Sequence, residues 1–182
     1  MAASSDNIVR WGGLAAMGEG LLAIVYSLLA FAAAKGDEPG PLDILIIVAM
    51  ILEVVGLVGF HALQGRSYGR IGRAGLYTTI ASIAVFELIL VASLVRGDVG
   101  LGWLAAVGVL GGLVGFALYG AATLQARVLP RSCGILFIIL IPVGILLGDL
   151  QPIWGGLVWL ALGYALWSHS SGAAGAQPSR VR

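Results

Sequence analysis

The sequence predicts an all-α fold, a polytopic transmembrane bundle of six helices. Three observations support this prediction: 59% of the 182 residues are apolar, only 10% are Asp, Glu, Lys or Arg, and the mean hydropathy is +1.01. Soluble domains carry about 25% charged residues, and a soluble fold of this size cannot bury so much apolar surface. The same composition, with a single cysteine, excludes a disordered chain, a nucleic-acid-binding protein and a disulfide-stabilised secreted domain.

Six apolar stretches are long enough to be spans, because a helix needs about 20 apolar residues to cross a hydrocarbon core about 30 Å thick. They lie at 11–34, 42–64, 74–96, 101–126, 132–148 and 152–168. The last two are short and are separated by a turn from Gly148 to Pro152, which predicts a tight hairpin. The first stretch also imitates a cleavable signal peptide, but it is too long and Glu19 interrupts it, which favours a span.

Charges outside the spans sort by side. Eight of the ten basic residues fall on one side, namely Arg10, Arg66, Arg70, Arg73, Arg127, Arg131, Arg180 and Arg182. Because cytoplasmic loops are rich in Lys and Arg, this side and both termini are predicted to be cytoplasmic. Deleting one span would separate the cluster at 66–73 from the pair at 127 and 131, so six spans are self-consistent. The cluster Arg66, Arg70 and Arg73 is expected to contact anionic lipid headgroups of the bilayer.

The domain organisation follows from these spans. Residues 1–169 are predicted to form one six-helix transmembrane domain. Residues 170–182 are small and polar and are predicted to be a disordered cytoplasmic tail.

Glycine is abundant, with 28 residues, and small residues let membrane helices approach closely. The fourth span carries Gly108, Gly111, Gly112 and Gly115, and the first carries Gly12, Ala16 and Gly20. These faces are predicted to pack against other helices. They could also support a homo-oligomer or contact with a membrane partner.

Three glutamates, Glu19, Glu53 and Glu87, lie one in each of the first three spans, near the predicted midplane. Inserting a charged acid there costs about 2.5–3.5 kcal/mol, so these side chains are expected to face the bundle interior or a wet cavity. No basic residue lies near the midplane. The acids must therefore share protons and hydrogen bonds among themselves and with neighbouring groups, or bind a proton or cation.

Helical geometry places further polar residues near these acids. Tyr26 shares a face with Glu19 and could donate to its carboxylate. Gln64 shares a face with Glu53, and His61 lies about 80° away around the same helix. This face of the second span is the best candidate for a polar track.

These residues predict a proton- or cation-responsive binding or transport module. A structural membrane subunit or scaffold is the main alternative, with three neutral acids that fix the helix register. A lipid-modifying enzyme is a second alternative, with His61 or a glutamate as acid or base. Neither a catalytic constellation nor a metal-binding spacing is recognisable, and no cofactor is expected. A haem between His61 and His169 is a weaker alternative.

Several short strings resemble those of a known group of proteins. They are RWGGL at 10–14, HALQ at 61–64, YGR at 68–70, RVLPR at 127–131 and LGYALWS at 162–168. Over most of its length the chain resembles small six-span integral membrane proteins of high-GC bacteria. The resemblance implies a location in the bacterial inner membrane. That group has no assigned activity, so the resemblance implies nothing about chemistry.

Overall fold

The structure, a computed structural model, describes residues 2–33, 42–96 and 102–175. Within these ranges it is entirely helical apart from short connections, which confirms the all-α prediction for this part of the chain. The helices are α1 (Ala2–Ala33), α2 (Leu42–Gln64), α3 (Gly69–Arg96), α4 (Gly102–Ala126), α5 (Arg131–Leu147) and α6 (Gln151–Gly175), with a short 3-10 helix at Gly148–Leu150.

The helix bounds differ from the predicted spans mainly at the two chain ends. α1 begins at Ala2, well before the predicted start at residue 11. α6 continues to Gly175, past the predicted start of the tail at Ser170. Residues 176–182 of that predicted tail lie outside the described residues.

Five helical stretches in the described ranges are long and apolar enough to cross a membrane. They are Asp6–Ala32, Ile44–Gln64, Gly69–Arg96, Gly102–Ala126 and Arg131–Ser170. The count is five rather than the predicted six because the last stretch contains α5, the 3-10 helix and α6 together. α5 alone has 17 residues, fewer than the roughly 20 that a full crossing usually needs. By length and composition, the protein is a helical membrane bundle.

α5 and α6 lie side by side and run antiparallel. The indole Nε1 of Trp154 donates to the carbonyl of Leu140 at 3.0 Å, and the rings of Phe137 and Trp159 are 5.9 Å apart. Gly148 ends α5 with a φ of 55°, a left-handed conformation that favours glycine. The chain therefore reverses direction at Gly148.

Close glycine contacts hold α1 against α2 and α6. A Cβ added to Gly12 would lie 2.5 Å from the Cα of Gly59 on α2, and one added to Gly156 on α6 would lie 2.5 Å from the carbonyl oxygen of Gly20. Small residues permit this approach because no side chain separates the backbones. The predicted contact face of the first span is confirmed.

The same mechanism packs α4 against α3. Gly108, Gly112 and Gly115 are buried, and a Cβ added to Gly115 would lie 2.5 Å from the Oγ1 of Thr79 on α3. The hydroxyl of Ser82, also on α3, donates to the carbonyl of Gly108. The predicted contact face of the fourth span is therefore confirmed as well.

These contacts make neighbouring helices antiparallel and bring the arginines to one end of the bundle. Gly12 beside Gly59 sets the start of α1 against the end of α2, and Gly120 beside Gly134 sets the end of α4 against the start of α5. The arginines at this end, which we call the arginine end, are all exposed: Arg10, Arg66, Arg70, Arg73, Arg127 and Arg131. The α5–α6 turn, with Asp149, lies at the opposite end.

An aromatic core fills the bundle and joins α2, α4, α5 and α6. The ring of Phe137 lies 5.2 Å from both Phe60 and Tyr119, edge to face. Phe116 and Trp159 complete the core, and all five side chains are buried. Aromatic pairs in this geometry add to the stabilisation from burial, so this core fixes how the four helices sit together.

Candidate functional site

Glu19 and Glu53 face each other across the interface between α1 and α2. Along this interface Gly12 meets Gly59, and one turn further Ala16 meets Gly56, where an added Cβ would lie 3.0 Å from the Cβ of Ala16. Because antiparallel helices step in opposite directions, the next turn brings Glu19 to Glu53. If both were ionised, the two carboxyl groups would repel each other.

Glu87 on α3 extends this pair to a row of three. In its ionised form Glu87 would repel an ionised Glu53 across the interface between α2 and α3. Glu53 is therefore the central member, with one acid on each side. Glu19 is buried, whereas Glu53 and Glu87 are half-buried. We call Glu19, Glu53 and Glu87 the carboxyl row.

No basic side chain from the same three helices neutralises the carboxyl row. α1 carries no Lys or Arg after Arg10, α2 carries none, and α3 carries none between Arg73 and Arg96. Within the described residues, Glu19 Oε2 and Glu87 Oε1 are buried without a hydrogen-bond partner. A buried, unpaired carboxylate is costly, so the row is chemically suited to hold protons or to receive a positive group.

A multidentate metal site is not formed here. Among the residues that the structure describes, no group of three or more His, Cys, Asp and Glu side chains is arranged to hold a metal ion.

The polar track predicted on α2 is interrupted. Gln64 is fully buried, but so are Leu57 and Phe60, which lie between it and Glu53 along the helix. These apolar side chains separate the amide from the carboxyl row. Gln64 therefore belongs to a different polar group.

That second group, the Gln64 cluster, consists of His61, Gln64, Tyr68, Tyr119 and Thr123. The Nε2 of Gln64 donates to Thr123 Oγ1 at 3.1 Å and to the hydroxyl of Tyr119 at 3.4 Å. The Thr123 hydroxyl donates to the carbonyl of Tyr119 at 2.9 Å. The Tyr68 hydroxyl hydrogen-bonds to the Nδ1 of His61, and the Tyr68 ring lies 5.7 Å from the ring of Tyr119, edge to face. These bonds link the end of α2 to α4 beside the aromatic core.

Sequence reasoning found only part of this cluster. It selected His61 and Gln64 but not Tyr68, Tyr119 or Thr123. The signal that could have found more is the spacing of Tyr119 and Thr123, which puts two hydroxyls one turn apart on one face of α4. Tyr68 had no comparable signal, because it lies in the short connection after α2.

The two histidines have different surroundings. His61 is half-buried and bonded to Tyr68, and His169 is exposed. The structure thus gives the haem alternative no buried pair of histidines, and His61 has a phenol rather than a glutamate as its observed partner.

A cleft lies at the end of the bundle opposite the arginines, and we call it the Asp149 cleft. It has a volume of about 400 Å³ and is lined by Tyr26, Ser27, Ala30, Phe31, Gly148, Asp149, Gln151 and Pro152. Tyr26 thus lies in the lining of this cleft, two turns along α1 from Glu19. The Ser27 Oγ is buried without a hydrogen-bond partner among the described residues. The three glutamates are not part of the lining.

Comparison of the chain with protein-family models, with curated proteins and with solved structures finds no match. Function is therefore inferred from the chemistry of the carboxyl row, the Gln64 cluster and the Asp149 cleft.

The Gln64 cluster predicts a loss of stability in strong alkali. Burial raises the pKa of Tyr68 from its ordinary value of 10.0 to about 12. The folded state therefore keeps a proton that the unfolded state releases, so this contribution is complete below pH 10.0 and is lost as the pH rises toward about 12. In a pH series of unfolding temperatures, Tyr68→Phe is expected to flatten the decline in this range.

The exposed Tyr164 on α6 offers a control for removing a tyrosine hydroxyl, because it does not contribute to the pKa of Tyr68. Tyr164→Phe should keep the wild-type decline above pH 10.0. If Tyr68→Phe showed that same decline, the loss of stability in alkali would not come from Tyr68.

Proposed function

We propose that this protein is a membrane-embedded binding or transport module whose carboxyl row responds to protons or cationic groups. The proposal rests on three acids, Glu19, Glu53 and Glu87, one on each of three neighbouring helices, with Glu53 electrostatically coupled to both of the others and no basic partner on those helices. Intramembrane acids are costly to insert and commonly mark ion and proton pathways. A protein selected only for packing would use apolar residues at these positions more cheaply.

The proximity of the acids also bears on the structural alternative. A scaffold needs each acid to be hydrogen-bonded in a dry interface. Glu19 and Glu87 instead each keep a buried oxygen without a partner among the described residues. Neighbouring carboxyl groups titrate as a coupled set, so a row of three can change its proton content stepwise. That property favours a responsive module over a scaffold.

The lipid-modifying enzyme has less support. It would need His61 and Glu53 to converge at a lateral opening as acid and base. His61 is paired with Tyr68, and the buried Leu57 and Phe60 lie between His61 and Glu53 along α2.

The membrane arrangement that fits this proposal has six crossings, with both termini cytoplasmic, in the bacterial inner membrane. The antiparallel packing of α5 and α6 supports counting them as two crossings. The gathering of exposed arginines at one end supports a cytoplasmic arginine end. There Arg66, Arg70 and Arg73 are exposed and free to contact anionic lipid headgroups. The glycine faces of α1 and α4 pack against other helices of the bundle. A homo-oligomer or a membrane partner would therefore use other surfaces of the protein.

The proposal is tested by the pH dependence of stability in lipid nanodiscs. Glu19→Gln, Glu53→Gln and Glu87→Gln keep the side-chain shape but remove titration. We expect the change in unfolding temperature between about pH 5 and about pH 9 to shrink in each variant, because the pH dependence reports groups that titrate differently on folding. Glu53→Gln should shrink it most, since Glu53 interacts with both neighbours.

Asp6 on α1 is an exposed carboxyl distant in sequence from the row, so Asp6→Asn is the matched control and should keep the wild-type profile. If all three glutamine variants also keep that profile, the acids are structural and the proposal fails.

A further inference from the structure

The Asp149 cleft has the dimensions of a site for a small molecule. Its volume is about 400 Å³, and ligand sites usually measure roughly 300–1,000 Å³. It lies between the C-terminal part of α1 and the turn that joins α5 to α6. Gly148 forms one wall with a φ of 55°, so the reversal of the chain shapes the cleft.

The lining combines one negative charge with aromatic rings. Asp149 is exposed at the turn and is the only charged side chain among the described lining residues. Tyr26 and Phe31 place aromatic rings in the same lining. A carboxylate with aromatic faces attracts a cation, and recognition of ammonium groups commonly uses aromatic rings. An anion would be repelled by Asp149.

Ser27 gives independent evidence for a polar ligand. Its side chain is only 3% exposed, it lines the cleft, and its Oγ has no hydrogen-bond partner among the described residues. A buried hydroxyl without a partner is costly. A hydroxyl or ammonium group of a bound ligand would satisfy it.

We propose that the Asp149 cleft binds a small organic ammonium ion. Asp149 supplies the counter-charge, Tyr26 and Phe31 pack against the cationic centre, and Ser27 exchanges a hydrogen bond with a polar group of the ligand.

The cleft lies on the side of the carboxyl row where the buried side chains are small. Ser27 follows Glu19 by about 12 Å along α1, at 1.5 Å per residue. Ala23 on α1 and Ala49 on α2 are small, buried residues on this side. On the other side the larger Leu57 and Phe60 are fully buried. Binding of an ammonium ion in the cleft does not depend on the carboxyl row. A second role for the cleft, as an entrance toward Glu19, rests on the proposed function.

Choline and its neutral carbon isostere, 3,3-dimethyl-1-butanol, are the probes that test this site. They have nearly the same shape, so a difference in affinity reports the charge. Calorimetric titration of the full chain in nanodiscs of neutral lipid should give measurable binding of choline and much weaker binding of the isostere. Asp149→Asn should weaken choline binding by about threefold to tenfold, and Phe31→Leu by several-fold. Asp6→Asn should have no effect.

Equal affinity for the two probes, no binding of either, or wild-type affinity in Asp149→Asn would overturn the proposal. The outcome is separable from that of the carboxyl row, because Glu53→Gln leaves the cleft lining intact. Charge-dependent choline binding that Asp149→Asn weakens would support the cleft even if the glutamine variants keep the wild-type pH profile. If the glutamine variants lose the wild-type pH profile but the protein does not bind choline, the proposal for the carboxyl row stands and the proposal for the cleft fails.

Discussion

Gly156→Ala is expected to destabilise the folded bundle strongly. The added Cβ would lie 2.5 Å from the carbonyl oxygen of Gly20 and 2.7 Å from the Cγ1 of Ile24. The carbonyl belongs to the backbone of α1, so the clash can be relieved only by moving one helix away from the other. Overpacking of this kind typically costs about 1–3 kcal/mol, and equilibrium unfolding in mixed micelles would measure the loss.

The neighbouring glycine provides a matched control. Gly155 lies in the same turn of α6, and a Cβ added there meets nothing within 4 Å. Gly155→Ala should therefore be neutral or stabilise the helix by up to about 1 kcal/mol, because alanine loses less conformational entropy on folding. Equal unfolding free energies for the two variants would show that close contact between α1 and α6 does not limit stability.

Glu53→Gln is expected to abolish proton flux if the carboxyl row conducts protons across the membrane. Glu53 is the only member of the row that interacts with both of the others. Removing its titration leaves two acids without the group that connects them, so a proton could no longer pass along the row. A pH-sensitive dye trapped in proteoliposomes would report the flux after an imposed pH step, and we expect the variant to match empty liposomes.

Glu53→Asp keeps the carboxyl group but shortens the side chain by one methylene group. This variant should retain part of the flux. Asp6→Asn should retain all of it. Wild-type proteoliposomes as tight as empty ones would exclude proton conduction and restrict the proposed function to binding. Undiminished flux in Glu53→Gln would exclude the row as the pathway.

Much of the helical organisation was predictable from the sequence. The predicted span 42–64 coincides with α2 (Leu42–Gln64), and the other spans differ mainly at their ends. Hydropathy predicts these bounds well because the apolarity that a membrane helix needs is summed over consecutive residues. The number of crossings was harder to predict, because α5 and α6 are separated only by a short 3-10 turn.

The candidate site was only half predictable. The glutamates stood out because an ionisable residue in an apolar stretch is visible without any knowledge of packing. Their arrangement as a row with Glu53 at its centre was not visible, and neither was the Gln64 cluster. Gln64 and Tyr119 are 55 positions apart, and nothing local to either residue specifies the other.

The sequence by itself thus determined the composition class, the helices and the three acids, since each is a property of one continuous segment. Only the tertiary structure decided which side chains meet. The backbone contacts at Gly12, Gly156 and Gly115 set the rotation and register of the helices. That register brings Glu19 to Glu53, buries Leu57 and Phe60 between Glu53 and Gln64, and opens the Asp149 cleft beside Ser27. Register depends on the fit of two surfaces at once, so no single segment of sequence encodes it.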